Sequence, residues 1–197
     1  MLFRTTEPYI YAIYMSAISF FRESLKNLQT VGTVTRSSPW LCREAVDHTD
    51  YSKAKTIVEI GAGDGVITRH LLERMAPDAR LFAFEVLPNM AKKLRQIKDD
   101  RLVVVEDSAE HLGKYLAQHQ LDEVDYIVSA VPFVALPRDL SYKIVRACKK
   151  HLRSGGIYSQ VHYALSMKKM YKEIFGNVEV HRVYLNLPPA YVLTCEN

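Results

Sequence analysis

The sequence predicts an α/β protein: a doubly wound seven-stranded sheet, mostly parallel with an antiparallel C-terminal strand, carrying an N-terminal helical extension. Three observations predict it. From Lys55 onward, short apolar runs alternate with longer amphipathic stretches, as parallel strands alternate with crossover helices. After the fifth strand the alternation stops, and two strand candidates follow each other through Asn186-Leu187-Pro188-Pro189, which suits a terminal antiparallel pair. Residues 1–50 lack the alternation and begin with a tyrosine-rich helical pattern.

In chain order, the first element expected is a helix over about Tyr9–Leu28. Tyr9, Ile13, Ala17, Phe20, Phe21, Ser24 and Leu28 recur at three- and four-residue steps, giving one broad apolar and aromatic face. A loop spans Thr30–Ser38, and Ser38 before Pro39 starts a second helix running to about Val46. The strands expected are Thr56–Ile60, Arg80–Glu85, Leu102–Glu106, Tyr126–Ser129, Ile157–His162, Val178–Leu185 and Ala190–Cys195. Between them, helices are expected over about Val66–Met75, Pro88–Ile97, Ala109–Gln118, Leu140–Leu152 and Ser166–Phe175. Residues 1–50 thus form the extension and residues 51–197 the main domain.

A chain of 197 residues corresponds to roughly 1.3 domains, in keeping with one domain and an appendage. With 48% apolar and 24% charged residues, and eight Gly and eight Pro, it is neither collagen-like nor of low complexity. The apolar run Tyr9 to Phe21 is shorter than the ~20 residues a spanning helix needs, and no Ala-x-Ala site follows it. A cytoplasmic chain is therefore expected. Cys42, Cys148 and Cys195 are odd in number and widely spaced, so they are expected to be reduced structural thiols. His48, His70, His111, His119 and His151 lie singly on helices or helix ends with no ligand spacing, and no metal is expected. The net charge is +4, but Arg138 to Arg182 holds ten Lys/Arg against three Asp/Glu, a basic segment that could meet an anionic surface.

The strongest chemical signal is Val58-Glu59-Ile60-Gly61-Ala62-Gly63-Asp64-Gly65, closing the first strand and opening a helix. Its glycines permit a tight turn and let backbone N–H groups approach a ligand. Glu85 ends the second strand 20 residues beyond Gly65, where a carboxylate would meet a ribose diol, and Val86 follows it. Because position 66 is Val, the spacing is Gly-x-Gly-x-Gly rather than the dinucleotide Gly-x-Gly-x-x-Gly. Glu59 and Asp64 favour a ligand with a cationic amino-acid tail over a pyrophosphate. The ligand that fits is S-adenosylmethionine, leaving as S-adenosylhomocysteine. Asp107-Ser108-Ala109 adds a carboxylate and backbone donors where an adenine edge would be held.

With these motifs, residues 55–163 resemble a Rossmann-like class I S-adenosylmethionine-dependent methyltransferase, with Glu59 to Gly65, Glu85 and Asp107 as its first three motifs. Adenine N6 methyltransferases, including the related ribosomal RNA adenine dimethylases, carry Asn/Asp-Pro-Pro-Tyr or Asn-Leu-Pro-Tyr after the fourth strand. This chain has Ser129-Ala130-Val131-Pro132-Phe133, and Ser129 lacks the two-sided amide that an exocyclic base amine would want. Almost end to end, the chain is similar to the bacterial phospholipid N-methyltransferases. The similarity lies in Phe20-Phe21 through Val31-Gly32-Thr33-Val34 to Ser37-Ser38, and in Ser129-Ala130-Val131-Pro132 for that family's Ser-Gly-Leu-Pro. Gln160-Val161-His162-Tyr163 stands for its Gln-Phe-Thr-Tyr, and Asn186-Leu187-Pro188-Pro189-Ala190 closes the set. Ala130 for Gly and His162 for Thr depart from the family pattern.

The resemblance implies methyl transfer to the amine of a phosphatidylethanolamine-like headgroup, with another amino-lipid such as ornithine lipid, or RNA adenine N6, as alternatives. Tyr163, His162 or a water held by Gln160 could take the amine's proton, and Phe133 and Tyr163 could hold a methylated ammonium by cation–π attraction. Ser129 would border both cofactor and acceptor. A protein peripheral to the inner face of an anionic membrane is expected, docked by helix 9–28 and the basic segment. DNA is not an expected partner, RNA is disfavoured, and the oligomeric state is left open.

Overall fold

The computed structural model describes residues 37–197; the expected helix over 9–28 and most of the Thr30–Ser38 loop lie outside them. Seven strands, β1 (Thr56–Ile60), β2 (Arg80–Phe84), β3 (Leu102–Val105), β4 (Val124–Ser129), β5 (Leu152–His162), β6 (Glu179–Val183) and β7 (Ala190–Glu196), form one sheet in the order β3-β2-β1-β4-β5-β7-β6. The first five are parallel, and β7 runs antiparallel to both of its neighbours. The expected antiparallel pair is therefore present. Its second member, however, inserts between β5 and β6, leaving β6 at the edge.

The helices are α1 (Pro39–Val46), α2 (Val66–Arg74), α3 (Pro88–Leu94), α4 (Leu112–Gln118), α5 (Arg138–His151) and α6 (Lys168–Phe175), with short 3-10 turns at Ala109–His111 and Phe133–Ala135. The turn Ala109–His111 separates off the start of what the sequence presents as a single helix over Ala109–Gln118. Side chains alternate across each strand, which divides the core. On one face Val58, Phe82, Ile127 and Tyr158 pack with residues of α4, α5 and α6. On the other, Ile57, Leu81, Tyr126 and Val128 pack with α1 and α2.

The sequence assigns α1 to the extension, yet it is fastened to the sheet. Ser38 caps it by accepting from Leu41 N, and the Ala45 carbonyl near its end accepts from both Tyr126 Oη (2.7 Å) and Ser159 Oγ (2.8 Å). Those two bonds satisfy a carbonyl that a helix end leaves without a partner. Cys42, Cys148 and Cys195 are buried free thiols whose pKa values burial raises, in line with a structural role. Among the described residues no helix is long and apolar enough to cross a membrane.

Candidate active site

The parallel strands point their carboxyl ends to one edge, and strand order reverses between β1 and β4, where open α/β sheets form a ligand crevice. A cavity of about 670 Å³ lies there, within the range of small-molecule sites. Its wall takes Glu59 to Asp64 from the first turn, Glu85 to Leu87 from the end of β2, and Asp107 to Ala109 after β3. Ala130 to Pro132 follow β4, Val161 and Tyr163 come from the end of β5, and Ser37 and Pro188 close it from the extension and the β6–β7 turn. Three motifs far apart in the chain thus meet in one crevice.

The glycine turn works differently from the sequence expectation. Gly61 N and Ala62 N donate to Phe84 O, Gly65 N donates to Ala62 O, and Gly63 N donates to Glu85 Oε2 at 2.8 Å. These N–H groups hold the turn onto β2, so what the turn offers a ligand is chiefly space. A Cβ on Gly63 would meet nothing within 4 Å, whereas one on Gly61 would press on Val131 and one on Gly65 on Ile97 and Leu94. Gly65 is absent from the wall; it permits packing against α3.

Glu85 is buried, with Oε2 accepting from Gly63 N and Oε1 from Leu87 N, both at 2.8 Å. Each oxygen keeps a lone pair, and the carboxylate is fixed in orientation. Burial raises its pKa against the pull of those backbone bonds. Asp107 accepts from Ser108 N, Tyr115 Oη and the His111 ring. Burial raises its pKa, but the bonds together outweigh it and leave the carboxyl below its ordinary value.

Glu59 is fully buried behind the turn: Oε2 accepts from Thr68 Oγ1 at 2.6 Å, and Oε1 has no partner among the described residues. Burial pushes its pKa up to about 8. An acid raised in this way holds a proton in the folded chain that the unfolded chain has released, so stability falls as pH rises from about 4.5 towards 8. Glu59→Gln is expected to flatten that decline, read as the difference in urea midpoint between wild type and variant across the window. An identical pH dependence in the two proteins would show that Glu59 does not carry the proton. A buried carboxylate oxygen without a partner on a cavity wall also fits a cationic ligand group.

The acceptor residues divide by strand alternation. Val161 and Tyr163 face the cavity, while Gln160 and His162 do not line it. Gln160 is buried and spent, its amide donating to Val131 O and Val161 O and its oxygen accepting from Tyr158 Oη. His162 is buried with Nε2 2.8 Å from Tyr171 Oη, and burial lowers its pKa to about 4. Neither reaches a proton in the cavity. Ser129 and Phe133 are also off the wall, buried beneath it; Ser129 Oγ accepts from Val131 N. Tyr163, half exposed at the mouth, is the one acceptor candidate of the sequence that reaches the cavity.

Sequence reasoning missed Met90, Lys93, Leu136, Leu140 and Ile144 on the wall. Their helical spacing marks them only as core or surface. Pro188, by contrast, brings the terminal turn to the cavity. Asn186 anchors that turn, accepting from Ser38 N and donating to Pro188 O.

This fold and this crevice define a class I S-adenosylmethionine-dependent methyltransferase. Residues 57–156 match the methyltransferase domain family, and the chain belongs to it. It is 30% identical over 179 residues to the ornithine lipid N-methyltransferase of Singulisphaera acidiphila, covering 89% of this chain and 93% of that one. Among solved structures it resembles a T. thermophilus 16S rRNA N2 G1207 methyltransferase in complex with AdoMet and guanosine (TM-score 0.61, 20% identity, 83% of this chain and 44% of that one). It also resembles Aeropyrum pernix fibrillarin with natively bound S-adenosyl-L-methionine (TM-score 0.57, 20% identity, 72% and 66%). The orphaned Glu59 oxygen, the anchored Glu85 carboxylate and the open space over Gly63 fit that cofactor.

Proposed function

We propose that the chain methylates the amine of an amino-lipid headgroup at a membrane surface, with ornithine lipid as the first candidate acceptor and phosphatidylethanolamine as the second. The similarity to an ornithine lipid N-methyltransferase along nearly the whole of both chains carries this reading. The surface supports it. Val134 and Tyr163 on the cavity wall are exposed, as are Leu165, Leu185 and Leu187 beside the wall residues Tyr163 and Pro188, and Trp40 near Ser37. A rim of this kind suits burial in the apolar part of an interface. Exposed Lys168, Lys169 and Lys172 follow Leu165 and add attraction to anionic lipid.

When bound, S-adenosylmethionine supplies a methyl group on a cationic sulfur. Glu85 would accept from a ribose diol, Glu59 would face a cationic tail, and Asp107 with Ser108 and Ala109 would border the base. On the acceptor side, Tyr163 at the cavity mouth would orient the amine, and its Oη or water would carry away the amine proton once the methyl group is transferred. The apolar wall from Val131, Leu136, Leu140 and Ile144 limits water around the reacting atoms, so positioning and exclusion of water supply most of the catalysis.

A double variant, Leu185→Asp with Leu187→Asp, tests this without touching the cavity wall. Each exposed leucine is worth on the order of 1.5–3 kcal/mol when buried in an apolar phase. Vesicle binding and lipid methylation are therefore expected to fall by roughly 10-fold or more, with cofactor affinity unchanged. Sedimentation with anionic vesicles and isothermal calorimetry read the two quantities. Wild-type sedimentation and lipid methylation by this variant would remove the rim from the account.

A further inference from the structure

Away from the cavity, the C-terminal end of α1 meets the edge strand β6, and three potential metal-ligand side chains converge there. Glu44 and His48, four residues apart, reach out from the end of α1, and His181 comes from the middle of β6. Glu44 Oε1 lies 3.5 Å from His48 Nε2 and 3.4 Å from His181 Nδ1. One ligand atom from each of the three lies within 4.8 Å of the others, and the two imidazole centroids are 4.6 Å apart. None of the three lines the cavity. The sequence, which shows His48 as a solitary helix-end histidine, gives no sign that it faces a second ring.

His48 Nε2 is buried and has no hydrogen-bond partner among the described residues, while its ring bonds to the Glu44 backbone. Its Nε2 faces the Glu44 carboxylate. On His181, Nε2 lies 3.0 Å from Thr194 Oγ1 and 3.9 Å from Glu179 Oε2, while Nδ1 faces Glu44 Oε1. Two ring nitrogens and a carboxylate oxygen thus converge on one point, an arrangement that a cation at the centre would stabilise.

From this geometry we infer that Glu44, His48 and His181 form a divalent-metal site, best suited to Zn(II), that clamps α1 to the edge of the sheet. Two atoms each ~2.0–2.1 Å from a tetrahedral zinc ion lie about 3.4 Å apart, which matches both nitrogen separations from Glu44 Oε1. Neutral imidazole nitrogen with carboxylate oxygen is a donor set zinc favours over magnesium or calcium. Thr194, bonded to the second nitrogen of His181, plays the orienting part that outer partners play around metal-bound histidines. The three side chains are partly exposed, which leaves a fourth position for water.

The test uses the full-length chain without an affinity tag, stripped with a chelator and titrated with Zn(II) or Co(II). One equivalent of Zn(II) is expected to bind and to raise the melting temperature to a plateau, and Co(II) to give the visible bands of a four- or five-coordinate N/O site. His48→Gln and His181→Gln are each expected to weaken binding at least ~100-fold, and Thr194→Val by roughly 10-fold. Glu179→Gln should leave it unchanged. Circular dichroism checks that the variants fold, and the Co(II) spectrum of the unmodified chain stands even if they do not. No binding at sub-millimolar Zn(II), or binding that survives both histidine substitutions in folded protein, would overturn the site and leave an ordinary His–Glu ion pair.

Discussion

Gly63→Val is expected to abolish S-adenosylmethionine binding in a domain that still folds. A side chain at position 63 would project into the cavity, because no described residue lies within 4 Å of the Cβ position. Gly63 also has φ +57°, a left-handed conformation that costs a residue with a Cβ roughly 1–2 kcal/mol, and more for a β-branched one. The variant should therefore show a modest fall in melting temperature together with total loss of calorimetric binding. Gly63→Ala should carry the strain with a smaller part of the obstruction. Undiminished affinity in folded Gly63→Val would remove the glycine turn from the cofactor site.

The second large effect is expected from Glu85→Ala. Loss of charge-assisted bonds to a diol is worth about 1–3 kcal/mol, roughly 5- to 150-fold in affinity. In this structure the penalty extends further, because Gly63 N and Leu87 N would lose their acceptor and the turn its tie to β2. The affinity loss is thus expected towards the upper end, with a stability cost that Glu85→Gln partly restores. Calorimetry on both variants checks it. An affinity unchanged in Glu85→Ala would show that the carboxylate serves only to hold the turn.

Much of this was legible because strand-turn-helix chemistry is local. The run Glu59 to Gly65, the acid after β2 and Asp107 after β3 are each written within a few residues, and a parallel sheet brings their positions to one edge. The strands were also legible, since continuous apolar runs such as Ile57–Val58 and Leu102 to Val105 suit a sheet covered on both faces. Side-chain direction at the end of β5 was not. Because both faces are buried, Gln160, Val161 and His162 carry no polarity signal saying which of them looks into the crevice; the two-residue alternation decides it and turns Gln160 and His162 away. The insertion of β7 between β5 and β6 was likewise hidden, because pairing partners distant in sequence leave no local mark. The meeting of His48 with His181 follows from that same insertion, which carries β6 out to the edge beside α1.

The position of α1 links these parts. Its start is held to the β6–β7 turn by the Asn186–Ser38 bond, and its end to the sheet through the Ala45 carbonyl. Ser37 and Pro188 therefore reach the cavity wall from elements fastened to each other. In the proposed function this junction builds the acceptor entrance, while the first turn and β2 build the cofactor side.

The most direct test of an amino-lipid methyltransferase is the destination of the methyl group. Purified chain is given methyl-labelled S-adenosylmethionine with vesicles containing ornithine lipid, vesicles containing phosphatidylethanolamine, or ribosomal RNA, and the label is followed into each fraction. The account predicts label in a chloroform-soluble amino-lipid, with ornithine lipid the better acceptor, and none in RNA. Label entering RNA, with both lipid fractions blank, would contradict it.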